Sequence, residues 1–592
     1  MPSLDVSELN IVLSIFGIFT LLYGYISVKI KQKWYLGEAL PAMLIGIVLG
    51  PVAAKFLDAT RWGSAAEDQQ NTITLGLMRV MIGVQLVIAG FQLPAKYLSQ
   101  RWKEMLICLL PIMTIMWLCT TLCILVTVPK ITLLAALVIG SCVTCTDPIL
   151  SQAIAKGPFA DKFVARPLRE IISAEAGAND GFGFPFLMLA VYLMRHSELP
   201  ESEIAAAASG QGGQALQHRS ADVGRMGGGV GVALMNWGVE TWLYIVLMSI
   251  AYGAIAGFAG GKFMKFALHR KWVDSESYLL FPTAMGLFLL GTCGSIGTDD
   301  LLACFVAGNA INWDGEYLAE TEKRHDEFNS CVDVLLNFGG FMYIGMVMPW
   351  SEFHNPEVTG LTIGRLVGLG FLVLLFRRIP AIFISYKIMP KVCKNAKEAL
   401  FMGYFGPIGA GAVFYLEHTR LHLLPKLGEG DEGETNLVRA IGPVVYWLVL
   451  FSIVVHGLSI PALNLIYKYS GVRPIQEDAV SVRRKSIYSV MPSNAEAADS
   501  QTFLAYNRFS RPVFDPSQLP VKRDPSPPVV KNYDHDLPSE TSSIHSVVDM
   551  EKLGANAGIP DYTAMAPARG ATSPLSYVVN RPLGRHANGR PM

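Results

Sequence analysis

Apolar blocks of membrane-spanning length recur about thirteen times between residues 10 and 466. A hydrocarbon core of ~30 Å is crossed by roughly 20 residues of helix. The blocks run over 10–28, 39–57, 73–93, 104–127, 131–153, 167–194, 239–261, 278–297, 300–313, 330–349, 361–386, 399–417 and 439–466. Several are too short, or too rich in Gly and Pro, to be plain lipid-facing helices. With 51% hydrophobic and only 16% charged residues, the chain could not cover the surface of a soluble protein of its length. The expected fold is an all-α polytopic membrane protein of about thirteen transmembrane helices.

Charge between the blocks provides an independent check. Loops after odd-numbered segments hold Lys29, Lys31 and Lys33; Lys96, Arg101 and Lys103; Lys156, Lys162, Arg166 and Arg169; Lys262, Lys265, Arg270 and Lys271; and Lys387, Lys391, Lys394 and Lys397. Loops after even-numbered segments are poorer in Lys and Arg and carry acids such as Glu67, Asp68, Glu352 and Glu357. Positive loops face the cytoplasm, so the N-terminus is expected outside and the C-terminal tail inside. Ser3 to Glu8 lacks a basic leader, so the first span is expected to stay in the mature protein.

The membrane domain is expected over 1–467, interrupted by a Gly/Ala-rich extracellular loop at 195–238. Residues 468–592 are rich in Ser, Pro, Asn and charge and are expected to form a disordered cytoplasmic tail. Ser486, after Arg483-Arg484-Lys485, reads either as a phosphorylation site or as part of a basic patch on anionic lipid. Nearly all nine cysteines lie in apolar segments, which argues against a disulfide framework. Cys142-x-x-Cys145 reads as helix packing, and His418-x-x-x-His422 lacks a credible third metal ligand.

Ionisable side chains at mid-membrane cost ~2.5–3.5 kcal/mol on insertion scales and are functional candidates by default. The fifth segment ends Thr144-Cys145-Thr146-Asp147-Pro148. Pro148 has no N–H and cannot continue the helical ladder, so the helix should break there. The break frees backbone carbonyls for a cation beside Thr146 and Asp147; the alternative is that Thr-Asp-Pro caps the next helix. In the sixth segment Glu175 shares a helix face with Asn179, and Ala176 with Asp180. Arg377 and Arg378, followed by Pro380 in the eleventh segment, offer Glu175 a counter-ion, with Arg377 favoured. Asp180 is then the uncompensated acid. Burial favours its neutral form, so a proton and a hard cation compete for it.

The twelfth segment carries a second interruption, Phe405-Gly406-Pro407-Ile408-Gly409. The fifth and twelfth segments correspond if segments one to six and eight to thirteen are inverted repeats about the seventh. Paired broken helices mark the substrate site of a secondary transporter.

These residues, together with Gly90-Phe-Gln-Leu-Pro94, Asp299-Asp300-Leu-Leu, Gly308-Asn309-Ala-Ile-Asn-Trp313 and His456-Gly-Leu-Ser, resemble the cation/proton antiporter superfamily, and more narrowly the fungal plasma-membrane Na+/H+ antiporters. The resemblance covers residues 8–467. It implies crossed broken helices, a homodimer, and exchange of cytoplasmic Na+ or Li+ (K+ in some members) for external protons, serving salt tolerance and pH homeostasis. Carried over, Asp180 is the cation- and proton-binding carboxylate, and Thr146 and Asp147 complete the Na+ site. Asn179 orients them and Glu175 pairs with an arginine. Asp299 and Asp300 match an acidic pair that matters for transport, or else cap the ninth segment. Many relatives have Ser where this chain has Ala176, so cation preference is left open. No resident cofactor, enzymatic activity or nucleic-acid partner is expected. The rival readings are a sodium-coupled symporter of an organic solute and a transport-inactive sensor.

Overall fold

The computed structural model describes residues 7–472, apart from 63–65, 67, 156–157, 198–227, 325–327 and 424–431. Ser486, the tail beyond Val472 and most of the 195–238 loop lie outside the described residues. Regular structure among those described is helical, with one isolated bridge between Asn355 and Leu361. Seven of the described helices are long and apolar enough to cross a membrane. Large apolar side chains such as Leu13, Leu21, Leu22 and Tyr25 stay exposed on the first of them, as lipid-facing positions should.

The first half contains α1 (Glu8–Val28), α2 (Ala39–Leu49), α3 (Gln69–Phe91) and α4 (Trp102–Thr127), followed by the half-helices α5 (Leu133–Cys142) and α6 (Pro148–Ala155). Next come α7 (Arg166–Asn179) and α8 (Phe184–Arg195). In α4, Pro111 lies in a π-helical stretch, Cys108–Ile112; the extra residue accommodates the missing N–H and the ring.

The seventh segment, α9 (Gly229–His269), begins at Gly229 rather than at 239. Val230, Val232, Ala233, Leu234 and Met235 continue its apolar run, which the flanking glycines disguise in the sequence. It is followed by α10 (Ser275–Ile296), α11 (Asp300–Ile311) and α12 (Phe328–Met346). Gly253 and Gly257 let α9 lie directly on α11. A Cβ at either would sit 2.4 Å from a carbonyl oxygen, of Ala303 or Ala307 respectively, the close approach typical of small-residue helix interfaces.

The last part comprises α13 (Ile363–Phe376), α14 (Ile379–Ser385), α15 (Ala396–Tyr404), α16 (Ala410–His418) and α17 (Glu432–Tyr469). Interruptions at 143–147 and 405–409 stand where the two Pro/Gly motifs place them. Two further ones separate α7 from α8 at Asp180–Gly183 and α13 from α14 at Arg377-Arg378. Pro185 and Pro380 open the helices that follow. Both prolines are visible in the sequence, but proline at a helix start marks a new helix as readily as a kink.

Candidate functional site: two helix breaks joined by charge

The breaks at 143–147 and 405–409 meet. The Asp147 N–H donates to the Pro407 carbonyl at 2.9 Å. Asp147 Oδ1 accepts from the N–H groups of Ile149 and Leu150, both at 2.9 Å, and so caps α6. Its Oδ2 accepts from the Ala410 N–H at 2.7 Å, at the start of α16. One carboxylate therefore faces the positive ends of two half-helices. The capping alternative is the one realised here, and it extends to both helices. Gly409 permits it, since a Cβ there would lie 2.1 Å from Asp147 Oδ2.

Arg377 does the converse job at the negative ends. Nη1 donates to the Gly406 carbonyl at 2.7 Å, and Nη2 donates to Thr144 and Cys145 carbonyls at 2.9 and 2.6 Å. This corrects two expectations. Three of the carbonyls freed by the breaks, those of Thr144, Cys145 and Gly406, are taken by a guanidinium rather than held open for a cation. Arg377, favoured as the partner of Glu175, is not that partner.

Arg378 takes that role. Its Nη1 and Nη2 donate to Glu175 Oε1 and Oε2 at 2.6 and 2.7 Å, while Nε donates to the Met402 carbonyl at 2.9 Å. Both side chains are buried, in the fork-to-fork geometry that makes arginine–carboxylate pairs strong. The preceding residue, Arg377, points elsewhere because the chain is interrupted between α13 and α14, and no count along a continuous helix could assign the two guanidinium groups.

Asn179 reads Thr146 twice: its Oδ1 accepts from the Thr146 N–H at 3.0 Å, and its Nδ2 donates to Thr146 Oγ1 at 2.8 Å. Asp180, fully buried, is the exception in this network. Neither carboxylate oxygen has a hydrogen-bond partner among the described residues. It packs against the second break, where a Cβ on Gly411 would come within 2.5 Å of Asp180 Oδ1 and 3.2 Å of Cys145 Sγ. The structure thus brings Asp180, Asp147, Thr146, Asn179, Gly406, Pro407 and Gly409 into one locus, with the Glu175–Arg378 pair adjoining it.

Asp299 and Asp300 lie at the start of α11, and the two differ. Asp299 Oδ1 caps the helix by accepting from the Leu302 N–H at 3.0 Å, leaving Oδ2 buried without a partner. Asp300 forms an ion pair with Arg79. Arg79 also donates to the Leu290 carbonyl at 2.6 Å. This helix start abuts the Asp180 turn, because a Cβ on Gly181 would lie 2.5 Å from the Leu302 nitrogen.

Sequence reasoning missed Tyr415. Its hydroxyl donates to the main-chain carbonyl of Asp180 at 2.6 Å and accepts from the Gly183 N–H at 3.1 Å. It ties the interruption of the sixth segment to α16. The available signal was its position one turn after Gly411, on the same helix face. Tyr415→Phe is expected to raise the half-saturating cation concentration several-fold and to lower the thermal midpoint, because it strands a buried carbonyl and a buried N–H, checked by cation titration of transport alongside melting. The rings of His418 and His422 lie tilted to each other with centroids 5.0 Å apart, but among the described residues no three His, Cys, Asp or Glu side chains converge as a metal site. All nine cysteines are free thiols.

Two interrupted spans crossing at compensating charges, next to a buried acid whose oxygens lack hydrogen-bond partners among the described residues, have the layout of broken-helix sites in secondary transporters. The family model described as "Sodium/hydrogen exchanger, transmembrane" matches residues 17–465, and the chain belongs to that family. It is 32% identical over 473 residues to Na(+)/H(+) antiporter 2 of Zygosaccharomyces rouxii, covering 78% of this chain and 54% of the relative. It is 32% identical to the Na(+)/H(+) antiporter of Saccharomyces cerevisiae (78% and 44% covered), and 31% identical to that of Schizosaccharomyces pombe (78% and 91% covered). The chain thus spans about half the length of the first two relatives and most of the third. The solved sodium proton antiporter MjNhaP1 of Methanocaldococcus jannaschii shares the fold, with a TM-score of 0.52 at 15% identity over 81% of this chain and 99% of that one.

Proposed function

We propose that the chain is a secondary antiporter that exchanges cytoplasmic Na+ or Li+, with K+ as a further candidate, for external protons, and so serves salt tolerance and pH homeostasis. The observation that carries this reading is the contrast among three buried acids. Glu175 is matched by Arg378, and Asp147 by three backbone N–H donors. Asp180 has no counter-ion, and neither of its oxygens meets a hydrogen-bond donor in good geometry among the described residues, although the Cys145 thiol lies beside it. Its two oxygens are free for a proton or a cation, and loading either excludes the other. Thr146 Oγ1, held by Asn179, supplies a neighbouring neutral oxygen. Asp147, with a backbone donor on each oxygen, holds the two half-helices in place beside the exchanging site.

On this reading thirteen segments form two inverted repeats of six about α9, and the broken fifth and twelfth segments are equivalent members. The contacts between their breaks through Asp147 and Arg377 support the pairing. The same reading places a homodimer in the plasma membrane with its N-terminus outside and its tail cytoplasmic. Three fungal relatives that carry the name Na(+)/H(+) antiporter support the activity.

The experiment is Na+ and Li+ uptake into proteoliposomes driven by an imposed pH gradient. Saturable uptake that stops when the gradient is collapsed is expected. Uptake that instead requires an organic solute would favour symport. In the same assay Ala176→Ser, which returns a hydroxyl one turn before Asp180, is expected to shift the Na+/Li+/K+ preference. An unchanged preference would make that position a spectator.

A further inference from the structure

The second break is held from behind by α17. Ser452, His456 and Ser459 recur at i, i+4 and i+7, so they lie on one face of that helix. Ser452 Oγ accepts from the Ile408 N–H at 2.7 Å. His456 Nδ1 lies 3.1 Å from the same hydroxyl and 2.9 Å from the Ser452 carbonyl. His456 Nε2 lies 3.0 Å from the Tyr404 carbonyl, and Ser459 Oγ is 2.6 Å from the Tyr404 hydroxyl. A carbonyl can only accept, and each ring nitrogen lies near one, while the neutral ring carries a single N–H. The tautomer that joins the two helices has the hydrogen on Nε2: it donates to the Tyr404 carbonyl, and Nδ1 accepts the Ser452 hydroxyl hydrogen. One chain of hydrogen bonds thus runs from the last residue of α15, through His456 and Ser452, to the residue before Gly409.

Two small cavities flank this chain. One reaches Arg377, Arg378 and Gly406 between α13, α15 and α17. The other reaches Glu38, Ile149 and Leu150 beside α2 and α6. His456 lines both. On this side the break is therefore positioned by directed polar contacts as well as by packing. The segment it positions places Ala410 N–H on Asp147 and Gly411 against Asp180.

We propose that Ser452 and His456 are positioning residues, which set the register of the second break and thereby the distance between α16 and Asp180. This rests on the exchanger reading for its functional consequence, though not for its structural one. His456→Phe and Ser452→Ala are each expected to raise the KM for Na+ about tenfold in gradient-driven uptake, with the maximal rate within about twofold of wild type. A factor of ten is about 1.4 kcal/mol, the scale of one lost charge-neutral tether. His456→Gln, whose amide can donate to the Tyr404 carbonyl and accept from Ser452, should recover most of the loss. In hydrogen–deuterium exchange the amides of 405–411 should exchange faster in His456→Phe and Ser452→Ala, and near the wild-type rate in His456→Gln. Unchanged exchange at 405–411 overturns the proposal whatever the protein transports. So does an unaltered KM accompanied only by a lower melting temperature. Wild-type protein without gradient-driven uptake, but with the expected exchange pattern, would sink the exchanger reading and leave the tether standing.

Discussion

Arg378→Met is expected to cost about 3–5 kcal/mol of stability, because it strands the Glu175 carboxylate in a dry helix interface. Both partners are buried and meet through two bonds of 2.6 and 2.7 Å. Removing one leaves the other charged and unpaired. Glu175→Met should do comparable damage from the opposite side. The double variant is the informative one: replacing a buried pair by apolar residues of similar volume is often close to neutral, so it should recover much of the loss. Thermal unfolding of purified protein in detergent reads all three. A single Arg378→Met variant that melts like wild type would remove the pair from the account. Arg377→Met is expected to behave differently, because it leaves the Thr144, Cys145 and Gly406 carbonyls without their donor and opens the crossing itself.

Asp180→Asn is expected to abolish cation uptake, to below about one hundredth of wild type, while leaving the fold intact. The amide is nearly isosteric, and the carboxylate has no protein partner among the described residues whose loss would destabilise the site. What it loses is the charge that binds the cation and the oxygen that carries the proton. The same logic separates Asp180 from Asp147. Asp147→Asn places an NH2 group against N–H donors from Leu150, Ile149 or Ala410. It should therefore lower the melting temperature as well as transport. Transport lost with stability kept is the signature expected of Asp180 alone.

The breaks and the acids were legible because each rests on a local rule. Pro148 cannot continue a helix, the Gly-Pro-Ile-Gly run cannot form one well, and a carboxylate in an apolar span demands an explanation. Partnership was not legible in the same way. Arg377 and Arg378 are adjacent in sequence, yet their partners differ: the break carbonyls after α5 and α15 in one case, Glu175 of α7 and the Met402 carbonyl of α15 in the other. Only the interruption between α13 and α14 separates their directions. The capping role of Asp147 was readable as an alternative, but its reach to Ala410 depends on α16 lying across the first break, some 260 residues away in the chain. Tyr415 carries no charge and stands in an apolar stretch, so nothing but the position of Gly411 could have drawn attention to it. The seventh segment was misplaced at its start because composition there, rich in glycine, resembles a loop more than a helix.

The central claim is that one carboxylate alternates between a proton and a cation. It is tested most directly by adding Na+ or Li+ to purified protein in weakly buffered detergent solution and following the release of protons. Wild-type protein should release protons saturably, over the same concentration range in which the cation binds, and Asp180→Asn should release none while keeping its melting temperature. Proton release undiminished in Asp180→Asn would contradict the account and move the exchanging site to another acid.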